Sequence, residues 1–165
     1  LSCAWNRSAP AASFAGATTI ANPRANKEVT AEETPMLDIN IMPFAKLMGI
    51  RIVEAAPERV VAELDVRPDL CTAGSIMHGG AYMAFADSVG AYATVLNMPK
   101  GAMTTTVESK TNFTGAIKAG ETARAECAPV HIGRTTQVWQ TRILRPDGKL
   151  AALVTQTQMI LPPKA

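Results

Sequence analysis

Between Asp69 and Lys100 a single side chain carries a full charge at neutral pH, that of Asp87. It stands in the run His78-Gly79-Gly80-Ala81-Tyr82-Met83-Ala84-Phe85-Ala86-Asp87-Ser88-Val89-Gly90-Ala91-Tyr92-Ala93-Thr94-Val95-Leu96, in which nearly every residue is apolar or small. Such a run reads as a buried helix, and a charged group in one is costly unless it is paired or used. Two glycines open the helix, where backbone N–H groups have no intrahelical partner and can meet an anion. A carboxylate that activates water or attacks a carbonyl, with N–H groups that hold the resulting oxyanion, supplies the parts of thioester hydrolysis. The same residues have plainer uses. Asp87 can be a structural acid capped by a threonine or the Tyr82 hydroxyl, and the glycine pair can serve close packing alone. His78 reads first as a loop residue held by a backbone hydrogen bond and second as a general base. Cys71 with His78 lacks a third orienting group, so an inert thiol is preferred to a cysteine nucleophile.

Spacing limits how these parts work together. Gly79 and Asp87 are eight residues apart, about 12 Å along one helix. That is too far for both to touch one thioester carbon. If both act, each acts at a different copy of the site, and a two-fold dimer supplies this arrangement. The expectation is a homodimer with a composite site, Gly79 or Gly80 from one chain and Asp87 from the other. Whether Asp87 is base or nucleophile stays open at this stage.

The elements that must position these residues can be placed. Pro43 and Gly49 bracket a short helix. Ile50 to Val66 reads as a hairpin turning near Pro57. Residues 67–77 form a loop, the long helix runs from about Gly79 to Leu96, and Asn97-Met98-Pro99-Lys100-Gly101 stops it. Strands are expected over Met103–Phe113, Glu121–Val130, Thr135–Leu144 and Leu150–Leu161, with turns at Ala119-Gly120, Ile132-Gly133 and Pro146-Asp147-Gly148-Lys149. A single apolar helix needs a sheet wrapped round it. The class is therefore α+β in the hotdog pattern, a long central helix wrapped by an antiparallel sheet. One layer of sheet covers only part of such a helix, which again points to a dimer.

Composition narrows the function. Hydrophobic residues make up 47% of the 165, charged residues 18%, and the net charge is +2, which suits a globular domain and argues against a nucleic-acid binder. Cys3, Cys71 and Cys127 form no disulfide framework and suit a reducing, cytoplasmic setting. With only His78 and His131 as histidines and no CxxC, no metal is expected, and no apolar stretch is long enough to span a membrane. Residues 1–35 differ in composition, with no acid before Glu28. Arg7, Arg24 and Lys27 permit a transit peptide. The preferred expectation is a disordered leader or an over-extended start, with the domain occupying residues 36–165 from Met36.

From Pro43 to Leu161 the sequence resembles the hotdog thioesterases of the phenylacetate-pathway PaaI type. The resemblance rests on His78-Gly79-Gly80, on Ala86-Asp87 at the family's spacing, on the strands after the helix and on Gly133-Arg134 in the penultimate turn. It implies that Asp87 is the catalytic carboxylate and that a helix-start N–H polarises the thioester carbonyl. It also implies that acyl-CoA lies across a subunit interface, with no cofactor beyond the CoA of the substrate, and that dimers pair into tetramers. Gly133-Arg134-Thr135 resembles the turn that meets CoA phosphates, and Lys110, Asn112 and Phe113 would lie by the acyl and pantetheine channel. One departure stands out. Where the family has Asn or Gln six residues before the motif histidine, this chain has Thr72, and the loop glycine, Gly74, is four residues before His78 instead of three. Thr72 and Ser75 are the candidates for orienting the water. Two rivals remain: a non-catalytic acyl-CoA binding module, which leaves Asp87 without a use, and a hotdog hydratase or dehydratase, which needs a histidine soon after the acid, whereas the next one is His131.

Overall fold

The structure is a computed structural model that describes residues 37–163; the leader expected over residues 1–35 lies outside the described residues. A 3-10 turn at Ile39–Ile41 leads into α1 (Pro43–Met48), which starts on proline and ends on Gly49 in the left-handed region at φ 80°. Arg67 donates to the last carbonyls of α1, at 2.6 Å to Met48 and 3.1 Å to Leu47, satisfying groups that a helix end leaves open. The hairpin follows as β1 (Arg51–Ala56) and β2 (Arg59–Asp65). The loop expected over 67–77 contains a second 3-10 turn, Pro68–Leu70.

The long helix, α2, spans Gly79–Asn97, within a residue of its expected end. After it come β3 (Met103–Phe113), β4 (Thr122–Ile132), β5 (Thr136–Leu144) and β6 (Leu150–Leu161). β4 runs two residues past the expected end at Val130, because a bulge between Pro129 and His131 absorbs the proline and lets pairing with β5 continue. The six strands form one antiparallel sheet in the order β1-β2-β4-β5-β6-β3. The chain therefore crosses the sheet through α2, lays β3 on the far edge and fills the gap with a meander. The sheet wraps α2, whose Phe85, Ala86, Val89 and Ala93 are fully buried. This is the hotdog fold.

The inner face of the sheet and α2 share one core, with Val60, Leu64, Ile143 and Trp139 sealed from water. The outer face of β1, β2 and β4 carries ion pairs instead, among them Arg51 forked onto Asp65 at 2.7 and 3.0 Å. Gly90 lets the sheet come close to the helix: a Cβ there would lie 2.5 Å from the Gln156 amide.

Candidate active site

His78 is the N-cap of α2. Its Nδ1 accepts the Gly80 N–H at 2.9 Å, so one of the two glycine amides is already committed. The N–H groups of Ala81 and Tyr82 turn back to the His78 carbonyl, at 2.9 and 3.2 Å. The Gly79 N–H has no acceptor among the described residues. Of the two glycines expected to offer an oxyanion donor, Gly79 is the one left with a donor to give. The Phe113 ring lies over it, 3.3 Å from where a Cβ would sit, and meets Tyr82 edge-on with centroids 5.8 Å apart. The Tyr82 hydroxyl is engaged elsewhere, donating to the Gly115 carbonyl at 3.3 Å and accepting from the Ile117 N–H at 3.0 Å. Burial raises its pKa, so it stays a neutral structural group.

Two turns further along, Asp87 is half-buried on the helix face that also bears Gly80, Met83 and Ala84. Its Oδ1 accepts from the Thr106 hydroxyl at 2.8 Å and more weakly from Gln156 Nε2 at 3.4 Å. Its Oδ2 has no hydrogen-bond partner among the described residues. The capping hydroxyl is thus a threonine, as one of the plainer uses of Asp87 required, but only one carboxylate oxygen is held.

Thr106 and Phe113 are seven residues apart on β3, an odd spacing that strict alternation would place on opposite faces. A bulge at Val107, between the pairs Thr106–Gln158 and Glu108–Thr157, resets the alternation. Thr104 and Thr106 then face α2 before the bulge, and Ser109, Thr111 and Phe113 face it afterwards. Lys110 and Asn112 fall on the outer face, exposed and away from Gly79 and Asp87.

Thr72 is exposed and closes a tight turn: its Oγ1 accepts from the Gly74 N–H at 3.2 Å and its carbonyl from the Ser75 N–H at 3.0 Å. Ser75 sits at φ 54°, a region that a residue with a Cβ rarely occupies. The lengthened loop therefore spends the Thr72 hydroxyl on its own geometry. Arg134 and Thr135 are exposed in the β4–β5 turn, where Gly133 N–H meets the Thr136 carbonyl at 2.9 Å. Arg134 makes no ion pair among the described residues. Thr136 pairs with Met159 and Met159 with Thr105, so this turn caps the end of the sheet nearest Thr106 and Asp87, two strand spacings or about 10 Å across.

Sequence reasoning missed Gln156 and Gln158, both fully buried on β6. Their signal was present in Thr155-Gln156-Thr157-Gln158, which puts two amides on the same face as Val154 and Ile160. Neither of the two cysteines among the described residues is placed as a nucleophile. Burial pushes the Cys127 thiol up to about 11, and Cys71 Sγ donates to the Arg67 carbonyl at 3.3 Å. Among the described residues no group of three or more His, Cys, Asp or Glu side chains converges on a metal position, and no helix is long and apolar enough to cross a membrane. Beside the start of α2 lies an open cavity of about 430 Å³, walled by Phe44, Leu47, Met48, Leu70, Ala81 and Ala84.

Residues 74–152, which hold the glycine pair, Asp87 and all of β3, match the Thioesterase superfamily. The Bacillus subtilis protein ComA2 is 32% identical over 117 residues, 69% of this chain and 90% of that one. The 1,4-dihydroxy-2-naphthoyl-CoA hydrolase of Escherichia coli is 27% identical over 126 residues, covering 74% and 92%. The structure of the E. coli PaaI protein from the phenylacetic acid degradation operon superposes with a TM-score of 0.67 at 24% identity, covering 73% of this chain and 85% of that one.

Proposed function

The chain belongs to the thioesterase superfamily, and from that premise we propose that it hydrolyses an acyl-CoA ester to the free acid and CoA in a composite site shared by two copies. The observation that carries this is β3. One strand touches both halves of the machinery, with Phe113 over Gly79 and Thr106 on Asp87, and its other edge is unpaired. Met103, Val107 and Phe113 are 55%, 57% and 54% exposed along it, an apolar edge of the kind that pairs with another strand. A two-fold axis near Ser109 and Lys110 would pair β3 with its copy antiparallel. It would bring the Phe113 end of one strand, with Gly79, to the Thr106 half of the other, with Asp87. The eight-residue gap within one helix is then bridged by symmetry.

In that site the Gly79 N–H and the positive end of α2 face the thioester oxygen. Asp87 of the partner subunit works through Oδ2. As a base it takes a proton from water, which attacks the acyl carbon and expels the CoA thiolate. As a nucleophile it forms a mixed anhydride, expels the same thiolate, and water then cleaves the anhydride. Arg134 supplies its guanidinium fork to a CoA phosphate. The cavity beside α2 takes an uncharged acyl group, because Arg67, which also lines it, is bonded to Asp69 beside it and to α1 carbonyls. The relative that acts on a naphthoyl-CoA supports an acyl-CoA substrate.

The test is thiol release from aryl and fatty acyl-CoA esters by the wild type, Asp87→Asn and Gly79→Pro. Proline fits the first helical position and removes the unused N–H, with a Cβ 3.3 Å from the Phe113 ring that has to give way slightly, and His78 before it already has the extended backbone that proline wants, at φ −68° and ψ 143°. Each variant alone should lose about 10²–10³-fold or more. Mixing the two unfolded chains and refolding them should restore about a quarter of wild-type activity, since half the dimers would be mixed and each would hold one intact site. Restoration to no more than the sum of the two variants would sink the shared site. Wild-type ester binding without turnover would return the protein to the role of a binding module.

A further inference from the structure

We propose that Thr106 and Gln158 form a hydrogen-bond relay that holds Asp87 by Oδ1 and so aims Oδ2 at the reacting carbon. This rests on Asp87 being the catalytic carboxylate. Both are positioning residues, since neither touches the thioester. The chain of contacts is continuous. The Thr104 hydroxyl lies 2.9 Å from Gln158 Oε1 and 3.1 Å from the Met159 carbonyl. Thr104 has one proton for these two acceptors, so the direction is set from the other end of the chain. The Asp87 carboxylate only accepts, Thr106 must donate to it, and Thr106 Oγ1 then accepts from Gln158, which turns Oε1 towards Thr104. That leaves Gln158 Nε2 pointing the other way, where it donates to Thr106 Oγ1 at 2.8 Å. With its oxygen serving an N–H donor, the Thr106 hydroxyl has its own proton for Asp87 Oδ1, at 2.8 Å. Each link fixes the direction of the next.

Packing makes the relay stiff where it starts and open where it ends. Gln158 is fully buried, and both its polar atoms are bonded, so rotating it would strand them without water. Its backbone pairs with Thr106 on one side and Gln137 on the other. Thr106 sits on the edge strand immediately before the bulge, which sets its face. An amide on the inner face of a sheet costs desolvation that a methyl-bearing residue would not, and at this position its bonds are directed along one line to one oxygen of the catalytic acid. Gln156 reinforces this with weak contacts of 3.4 Å to Asp87 Oδ1 and to the Asp87 carbonyl.

The experiment measures kcat and KM for Thr106→Ser, Thr106→Val, Gln158→Met and the Thr106→Val/Gln158→Met pair, beside wild type and Asp87→Asn. The substrate is whichever of benzoyl-, phenylacetyl- and hexanoyl-CoA the wild type turns over fastest, and thermal melts accompany each variant. Thr106→Ser should stay within about 3-fold of wild type. Thr106→Val should lose about 10–100-fold in kcat with KM nearly unchanged, the pattern of a misaimed catalytic group. Gln158→Met should lose about 3–10-fold, and the double variant no more than Thr106→Val alone, because the glutamine acts only through the threonine. Additive losses, a serine variant as slow as the valine one, or wild-type kcat in Thr106→Val would each overturn the relay while leaving an inactive Asp87→Asn, and hence the thioesterase reading, standing. Activity that survives Asp87→Asn overturns both the relay and Asp87 as the catalytic carboxylate. Should Gln158→Met fail to fold, the serine and valine variants decide the matter alone.

Discussion

The inner face of the sheet has two halves with different contents. β2 and β4 present Val60, Ala62, Leu64, Ala123, Ala125 and Cys127 to the helix, all sealed from water. β5, β6 and β3 present cross-strand rows in which polar groups dominate: Gln137, Gln158 and Thr106; Trp139, Gln156 and Ser109; Thr141, Val154 and Thr111. The buried polar atoms without partners gather in this second half, including Ser109 Oγ, Thr111 Oγ1, Gln137 Oε1, Trp139 Nε1 and Gln156 Oε1, and none comes from β2 or β4. Native structures hold few such atoms, and each calls for an explanation. One half is built to hold the helix and the other to hold Asp87. The proposed site lies where stability is given up.

The division predicts separable consequences. Leu64→Ala, in the apolar half, should cost about 2–5 kcal/mol of stability, read from a urea midpoint, while kcat per folded molecule stays at wild type. A matching fall in kcat would erase the distinction between the halves. Gly90→Ala crosses the boundary. Alanine gains about 1 kcal/mol in helix propensity over glycine, but its Cβ would overlap the sealed Gln156 amide, an overpacking of about 1–3 kcal/mol. A net loss near 1 kcal/mol and a lower kcat are expected; a stabilised, fully active variant would show that Gln156 has room to move.

Gln156→Met should leave stability within about 1 kcal/mol of wild type or raise it, because it removes an unpaired buried oxygen, and should lower kcat several-fold. A large loss of stability would put Gln156 among the residues that hold the fold. The smallest effect belongs to the outer face. Hydrogen bonds from Arg51 first and Thr122 second hold the Asp65 carboxyl below its usual value. Its contribution is present above about pH 4, the unfolded carboxylate range, and is lost as pH falls through the lower folded value. Asp65→Asn should therefore cost only about 0.2–1 kcal/mol at neutral pH, as an exposed pair does, and the gap to wild type should close on acidification. A gap that widened in acid would reverse the assigned sign.

Much of the frame was legible in the sequence because its signals are local. The glycine pair and Asn97-Met98-Pro99 bound α2, the Pro57 and Asp147-Gly148 turns mark hairpins, and the solitary Asp87 announces itself by charge alone. What escaped notice depends on partners distant in the chain. The Thr106 contact to Asp87 hangs on a bulge that Thr104-Thr105-Thr106-Val107-Glu108 does not advertise. The resemblance implied that Lys110 and Asn112 lie by a channel; the same bulge turns them to the face opposite Thr106 and Phe113. The capping role of His78 was foreseen as a backbone hydrogen bond. Its effect on the glycines was not, since only geometry shows that it takes the Gly80 amide and spares that of Gly79.

The bulge at Val107 has one more consequence, concerning inheritance and not chemistry. A strand that reads in steps of two keeps its meaning under many substitutions but not under a change of count. Removing one residue between Thr106 and Ser109 would erase the bulge and leave a plain alternation with Phe113 still facing Gly79, whereas adding one with the single bulge kept would exchange the faces of everything downstream, turning Lys110 and Asn112 inward. In β3 the length of the segment therefore carries a message its spelling does not: descendants of this chain can give up the bulge residue and keep the inner face, but they cannot lengthen the segment by one and keep it.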